Sequence, residues 1–306
     1  MRHRHFKQVD VFSGVAYLGN PLAVVLDGNG LSDQAMQAFA RWTHLSETTF
    51  IVNSRETSAD YRVKIFTPAG ELPFAGHPTL GTCHAWLEAG GKPKQDSHIV
   101  QECALGLITI RHHGSKLAFA APALKRSTPE PGLLTQVCVA LRVDAEQILA
   151  SQWLDNGPVW LGLLLDSQDT VLGLEPDQSA LKALNVKVGV AALAAAPTSA
   201  QLIARSNREA RAFRELTKSP AVSANSDLEV RGFAAAAGIA EDPVTGSLNA
   251  SLAQWLIAEA YLPERYSATQ GRSLGRDGRV SIERDGNGQV WVGGECISCI
   301  DGQVLL

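Results

Sequence analysis

Two segments half a chain apart are built alike, and they limit the folds open to this chain more than any other feature. The first, HPTLGTCHAWLEAGG, follows Gly76, and the second, SLNASLAQWLIAEA, follows Gly246. Both have apolar residues at helical spacing. Each follows a strand-like segment that contains phenylalanine, and in each an acid, Glu71 or Asp242, precedes the glycine by a few residues. The match predicts an internal duplication of a strand–helix unit.

The remaining pattern predicts mostly β structure. Short β-branched runs bounded by turn residues predict strands, and the clearest are HFKQVDVF, NPLAVVLD, TTFIVN, YRVKIFT and GLITIRHHGSKLAFAAP. The last is predicted to be a hairpin closing at Gly114, and VSIERDGNGQVWVGG to be a second one. Ser32 is a predicted helix N-cap, and TQVCVALRV and SNREARAFREL are further helix candidates.

Together these patterns predict an α+β fold of two similar lobes, each a barrel-like, mainly antiparallel sheet around one apolar helix. Three prolines lie in PALKRSTPEPG, which makes 122–132 the best linker. We therefore expect a first lobe over residues 1–125 and a second over 126–306, whose last strand is a candidate to pair back onto the first lobe.

The composition excludes several classes of protein. With 306 residues, 45% hydrophobic residues and a net charge of −4, the chain is expected to be globular and cytoplasmic, without a nucleic-acid or membrane partner. The five cysteines are an odd, scattered set, which argues against a disulfide framework. The CISC motif at 296–299 is interpreted as two unrelated small residues beyond a Gly-Gly turn. No histidine or cysteine spacing predicts a metal site, and neither G-x-G-x-x-G nor G-x-x-x-x-G-K-[ST] occurs, so we expect no metal and no cofactor.

The two helix starts are candidate anion sites. A helix N-terminus offers unpaired N–H groups and a partial positive charge, and glycine lets a ligand approach the backbone. His77 beside Gly76 is expected to be a neutral hydrogen-bonding ring. Taken singly, His77 also fits a structural role, Asp242 a first-turn acid, and Ser247 a helix cap.

Glu47 is the candidate acid/base. It lies at the entry to a β-branched run, where an acid is often simply solvated. Inside an apolar cleft, however, its pKa would rise, and it would then both take and return a proton.

Five stretches, in order and nearly end to end, resemble the PhzF family of phenazine-biosynthesis isomerase-like proteins. They are VDVFSGVAYLGNPLAVV, LSETTFI, IFTPAGELPFAGHPTLGT, GIAEDPVTGSLNASLAQWL and QGRSLGRDGRVSIE…VWVGG. The resemblance implies the diaminopimelate-epimerase type of fold, with the site between two lobes, a homodimer, and a proton shift within a carboxylate-bearing substrate without metal or cofactor. By motif it places catalytic roles on Glu47, His77, Asp242 and Ser247, and substrate binding on Gly76, Gly246 and Asn20.

The chain also departs from the family's usual pattern. Ala75 precedes the glycine and histidine, Leu248 and Asn249 follow Ser247, and GFAAAAGI lacks the expected proline. These changes adjoin the cleft and leave the substrate open. Two alternatives also remain: an amino-acid racemase or epimerase, which uses two facing thiols that neither helix start holds, and a non-catalytic binding or interaction protein.

Overall fold

The computed structural model describes residues 1–194 and 226–306. The helix predicted for SNREARAFREL, at 206–216, lies outside these residues. The described residues form six α-helices. They are α1 (Asp33–Thr43), α2 (Gly76–Glu88), α3 (Pro131–Leu141), α4 (Gln168–Gly173), α5 (Gln178–Leu184) and α6 (Gly246–Ala258).

Seventeen strands in the same residues form one connected sheet. They are β1 (His3–Val11), β2 (Asn20–Val25), β3 (Thr48–Val52), β4 (Tyr61–Phe66), β5 (Glu71–Leu72), β6 (Ile99–Cys103), β7 (Gly106–His113), β8 (Lys116–Ala120), β9 (Lys125–Ser127), β10 (Ile148–Asp155), β11 (Val159–Leu165), β12 (Val188–Leu193), β13 (Leu228–Ala234), β14 (Ile239–Asp242), β15 (Arg265–Gln270), β16 (Gly278–Arg284) and β17 (Val290–Leu305).

The sheet curls into two lobes, as the sequence predicts. In the first, β8, β17, β1, β2, β3, β4, β6 and β7 pair in that order, and β7 pairs again with β8, so the barrel closes. In the second, β17, β16, β15, β13, β12, β11, β10 and β9 pair in order. The predicted α+β architecture is confirmed.

The duplication extends to the crossover connections. In each lobe two pairs of strands are parallel, β2–β3 and β4–β6 in the first, and β11–β12 and β13–β15 in the second. One crossover in each lobe runs outside the sheet, through α1 or through α4 and α5, and the other runs through the central helix, α2 or α6. The two central helices therefore occupy equivalent places.

Both central helices are buried on almost every side rather than along one stripe. Nine residues of α2 and eleven of α6 are buried, including polar ones such as Thr79, Thr82 and Ser251. A helix enclosed by a barrel has no solvent face, so its pattern loses the periodicity of a surface helix. The apolar residues predicted at helical spacing account for only part of the buried surface of these helices.

The last strand differs from its predicted form. The Gly293-Gly294 pair was expected to make a turn, yet β17 runs through it without interruption. The glycines are needed for close packing. A Cβ at Gly293 would lie 2.7 Å from the Leu117 carbonyl oxygen, and one at Gly294 2.6 Å from the Phe12 ring. The strand begins beside β16 and ends beside β1, so it belongs to both lobes.

The predicted helix cap, hairpins and linker can each be compared with the structure. Ser32 accepts a hydrogen bond from the Ala35 amide and caps α1, and both predicted hairpins form. The proline-rich 122–132 segment contains β9, and its last two residues are the first two of α3. None of the helices in the described ranges has the length and apolar character needed to span a membrane.

Candidate active site

The first turns of α2 and α6 meet between the lobes. A Cβ added to Gly76 would lie 2.8 Å from the Gly246 Cα, and one added to Gly246 would lie 2.8 Å from the His77 nitrogen. Neither helix has a side-chain N-cap. Two positive helix ends therefore converge on one place, which only glycine at both positions allows.

Glu47 reaches this place from the first lobe. It lies directly before β3, after α1 has ended at His44 in the left-handed conformation (φ 56°). Its Oε2 is 3.4 Å from Nε2 of His77, in the first turn of α2. Both atoms are buried without a hydrogen-bond partner among the described residues. The two atoms face each other without forming a hydrogen bond.

Asn20, the first residue of β2, joins the lobes. Its fully buried amide donates to Oδ1 of Asp242 at 2.8 Å and to the Val244 carbonyl at 2.9 Å. The same nitrogen is 3.4 Å from Nδ1 of His77. If Nδ1 accepts that contact, the neutral ring carries its proton on Nε2, facing Glu47.

A hydrogen-bond network fixes Asp242 at the end of β14. Thr245 donates its hydroxyl to Asp242 Oδ2 at 2.7 Å. Gln270, on the neighbouring β15, donates to the Asp242 carbonyl at 3.1 Å and accepts from the Thr245 amide at 2.9 Å. The Asn249 side chain donates to the same Gln270 oxygen at 2.8 Å. The carboxylate is therefore rigidly oriented.

Ser247, in the first turn of α6, is held by the β10–β11 hairpin. The Trp160 indole donates to its hydroxyl at 3.3 Å, and the Asn156 amide donates to its carbonyl at 2.9 Å. Contacts from the second lobe thus position Ser247 as contacts from the first lobe position His77.

A cavity of about 300 Å³ opens between the lobes at this point, within the size range of small-molecule sites. Residues of both lobes line it, among them the polar side chains of Glu47, Thr245, Ser247, Asp242, Glu71 and Lys187.

The electrostatics of the cavity shift three pKa values. Burial, reinforced by the Asp242 charge, raises the pKa of Glu47 well above its usual value, against a lowering effect of Lys187. Burial raises the pKa of Asp242 to about 6, although hydrogen bonds from Thr245 and Asn20 lower it. Burial alone lowers the pKa of His77 to about 3, so this ring is neutral.

The structure brings all seven sequence-predicted residues together, but in two layers. Glu47, Asp242 and Ser247 line the cavity. His77 and Asn20 are almost wholly buried, and Gly76 and Gly246 lie against each other behind the lining. Asn20 is positioned to hold Asp242 and His77, so its predicted contact with substrate stays a prediction.

Sequence reasoning found Asp242, Gly246 and Ser247 in the second lobe but missed five further residues there: Trp160, Lys187, Thr245, Asn156 and Gln270. Of these, Thr245 and Gln270 lie in stretches that the sequence singled out, although neither was assigned a role. The others come from hairpins and loops with no local signature, and only the duplication could have pointed to them.

The cysteines lie away from both helix starts. All five are free, and burial raises the pKa of Cys83, two turns into α2, to about 12. A thiol with so high a pKa is a poor base and nucleophile near neutral pH. Within residues 1–194 and 226–306, no three histidine, cysteine or acidic side chains cluster as metal ligands would.

Comparison with known proteins agrees with this architecture. A curated relative, antisense-enhancing sequence 1 of Schizosaccharomyces pombe, is 33% identical over the whole of both chains. The trans-2,3-dihydro-3-hydroxyanthranilate isomerase of Pseudomonas aeruginosa is 27% identical, with 97% of this chain and 98% of that protein covered. The crystal structure of a Bacillus anthracis phenazine biosynthesis protein of the PhzF family superposes with a TM-score of 0.80 at 20% identity, covering all of both chains.

The model of one family, PhzC-PhzF, described as phenazine biosynthesis-like protein, matches residues 9–302. The match covers both lobes and every residue of the cavity described above. The resemblance inferred from the five motifs is confirmed, and this chain belongs to the PhzC-PhzF family of phenazine biosynthesis-like proteins.

Proposed function

We propose that this chain is an isomerase that moves a proton within a small carboxylate-bearing substrate, without a cofactor, and that Glu47 is the acid/base. The observation that carries the proposal is the buried Glu47 carboxyl, with a strongly raised pKa, unpaired at the wall of the cavity between the lobes. A curated relative is named for an isomerisation of a hydroxyanthranilate, a ring that bears a carboxylate.

The reaction needs no co-reactant, because the proton is removed from and returned to the same substrate molecule. The Glu47 carboxylate removes a proton from a carbon next to an unsaturated system, and the electron pair left behind delocalises into that system. The protonated Glu47 then returns the same proton to another carbon, and the double bond moves. A raised pKa suits both steps because the carboxylate is a better base and the proton is still returned near neutral pH.

The other residues hold the substrate. Neutral His77 donates or accepts a hydrogen bond without adding charge, while Asp242 and Ser247 bind polar groups and stabilise developing charge. The N–H groups at Gly76 and Gly246 and the converging helix ends favour a carboxylate. The cytoplasmic location and the homodimer stay predictions.

The proposal is tested with Glu47→Gln, which keeps the size of the side chain and removes its basic oxygen. The protein is incubated in heavy water with trans-2,3-dihydro-3-hydroxyanthranilate and a panel of unsaturated cyclic carboxylic acids, and products are followed by NMR. We expect a double-bond shift in the native protein and a loss of roughly 10²–10⁴-fold in the variant.

Glu229→Gln is the matched control. Glu229 is also a fully buried glutamate with a raised pKa, but it lies beside Thr269 and Arg272 and does not line the cavity. It should retain the native rate. Equal rates for Glu47→Gln and the native protein would end the proposed mechanism.

A second measurement separates this mechanism from a thiol-based racemase. Because neither helix start carries a cysteine, alkylation with iodoacetamide should leave the activity unchanged. Inactivation that substrate prevents, traced to one cysteine by mass spectrometry, would favour the racemase instead.

A further inference from the structure

The duplicated fold places one residue of the second lobe in the position that Glu47 has in the first. Glu47 directly precedes β3, the second strand of the parallel pair β2–β3. Lys187 directly precedes β12, the second strand of the parallel pair β11–β12. Both residues line the same cavity. The two lobes thus place a carboxyl group, that of Glu47, and an ammonium group, that of Lys187, at equivalent positions.

The backbone of Lys187 is fixed where it enters the sheet. Its carbonyl accepts a hydrogen bond from the Leu161 amide at 2.8 Å, on the adjoining strand β11. Its ammonium lies 5.8 Å from the centre of the Trp160 ring, whose N–H donates to Ser247. The ammonium therefore lies beside Trp160, which itself contacts the start of α6.

Lys187 is the only cationic side chain among the described residues that line the cavity. No carboxylate in residues 1–194 or 226–306 forms an ion pair with it, although its charge lowers the pKa of both Glu47 and Asp242. A half-buried ammonium without a fixed counter-ion in a ligand-sized cavity is suited to an anionic group of the ligand.

Lys187 also lines an adjoining cavity of about 380 Å³. The two cavities share Leu72, Pro158 and Lys187. The adjoining one is otherwise largely apolar, with Trp153, Val159 and Val186 in its wall. Lys187 therefore stands at the boundary between the reacting end of the site and a space for a further part of the substrate.

We propose that Lys187 binds a second anionic group of the substrate, so that the substrate class is a dianion, such as a dicarboxylate, rather than a simple monocarboxylic acid. This inference rests on the proposed function, in which the first carboxylate lies at the start of α2 and α6. With one anion at the helix ends and the other at Lys187, the substrate is held at two points and its reacting carbons face Glu47.

The test measures the binding of two probes to the full chain by calorimetry. The probes are benzoate and isophthalate, which differ by one carboxylate. For the native protein we expect isophthalate to bind on the order of tenfold more tightly, since a partly buried charge-assisted contact contributes about 1.4 kcal/mol. In Lys187→Met the ratio of the two dissociation constants should fall to about one, whereas Lys187→Arg should keep it.

Lys182→Met is the matched control, because Lys182 is an exposed residue of α5 that lines neither cavity. It should keep the native ratio, and thermal unfolding verifies that each variant is folded. A native ratio of one or less, or a ratio that survives in Lys187→Met, overturns the assignment of Lys187. Neither result bears on the proton shift, which the Glu47→Gln experiment decides. Failure of the native protein to bind either probe would overturn both this inference and the carboxylate site.

Discussion

Glu47 and Asp242 are two buried carboxyls that share one cavity, and each is more easily protonated than in water. Such an arrangement costs stability whenever the groups are ionised, because burial favours their neutral forms. Function and stability therefore oppose each other at these two residues.

The stability of Glu47→Gln should reveal this opposition. The pKa of Glu47 is raised in the folded state, so its favourable contribution is complete below about pH 4.3, its unfolded value. That contribution is lost as pH rises towards the folded pKa. We expect the neutral glutamine variant to have the higher melting temperature at pH 8, and the difference to disappear near pH 4.

Thermal unfolding at both pH values measures the difference, and Glu56→Gln is the control, because Glu56 is exposed and does not line the cavity. A glutamine variant that is less stable than the native protein at pH 8 would show that ionised Glu47 is well stabilised in the fold. That result would remove the basis for its acid/base role.

At the scale of single residues, the sequence predicts more of the site in the first lobe than in the second. Glu47 and His77 lie in short motifs whose chemistry can be recognised locally. Trp160 and Lys187 belong to β11 and to the loop before β12, where a tryptophan or lysine is an ordinary surface-strand residue. Their presence in the cavity follows from long-range pairing of strands, which no local pattern encodes.

The central helices α2 and α6 are the elements on which the site depends, and their closest contact is backbone against backbone. At Gly246 an added methyl group would meet only the main chain of α2, and at Gly76 it would meet the buried Phe119 ring as well as the main chain of α6. The only relief is a separation of the two helices, which would also separate the lobes.

Gly246→Ala should therefore destabilise the protein by roughly 1–3 kcal/mol, the usual cost of overpacking a core. It should also weaken the binding of benzoate, since both helix starts move. Chemical denaturation and calorimetry measure the two effects.

Gly132→Ala is the matched control, because Gly132 lies in the first turn of α3 with nothing within 4 Å of the added atom. There alanine should be neutral or stabilising by up to about 1 kcal/mol, through its better helix propensity. Equal stabilities for the two alanine variants would mean that the helix starts are not in contact.

Elements were predicted well where local signals are strong. The Ser32 cap and the turn at Asp285–Gln289 are formed as expected, because a side-chain or glycine signal defines each of them within a few residues. The turn predicted at Gly293-Gly294 was wrong, because glycine is common both in turns and where chains pack closely. Here the close approach of Phe12 and Leu117 explains the two glycines, and the sequence alone does not show that contact.

At the scale of the whole molecule, β17 joins the two lobes, because it follows β16 of the second lobe in the chain and pairs with strands of both lobes. Its first residues pair with β16 of the second lobe and with β8 of the first, and nine of its last ten pair with β1. The predicted division at residue 125 would therefore leave the first barrel with an open gap between β1 and β8. Unpaired strand edges of this length favour aggregation.

We expect residues 1–125 alone to be unfolded or aggregated. We expect the same residues to fold when residues 290–306, which include β17, are joined before residue 1.

Arg2 and Leu306 exchange backbone hydrogen bonds at 2.6 and 3.1 Å, so the two termini are neighbours in an antiparallel pair. Residues 290–306 can thus be placed before residue 1 through a short glycine-containing loop, which closes a β-hairpin and completes the first barrel. Circular dichroism and amide hydrogen exchange compare the two chains. The fused chain should show cooperative unfolding and protected amides in β1 and β8, because β17 then satisfies both of their edges. Cooperative folding of residues 1–125 without β17 would show instead that the first lobe is independent of the last strand, and that the pairing seen between the lobes is dispensable.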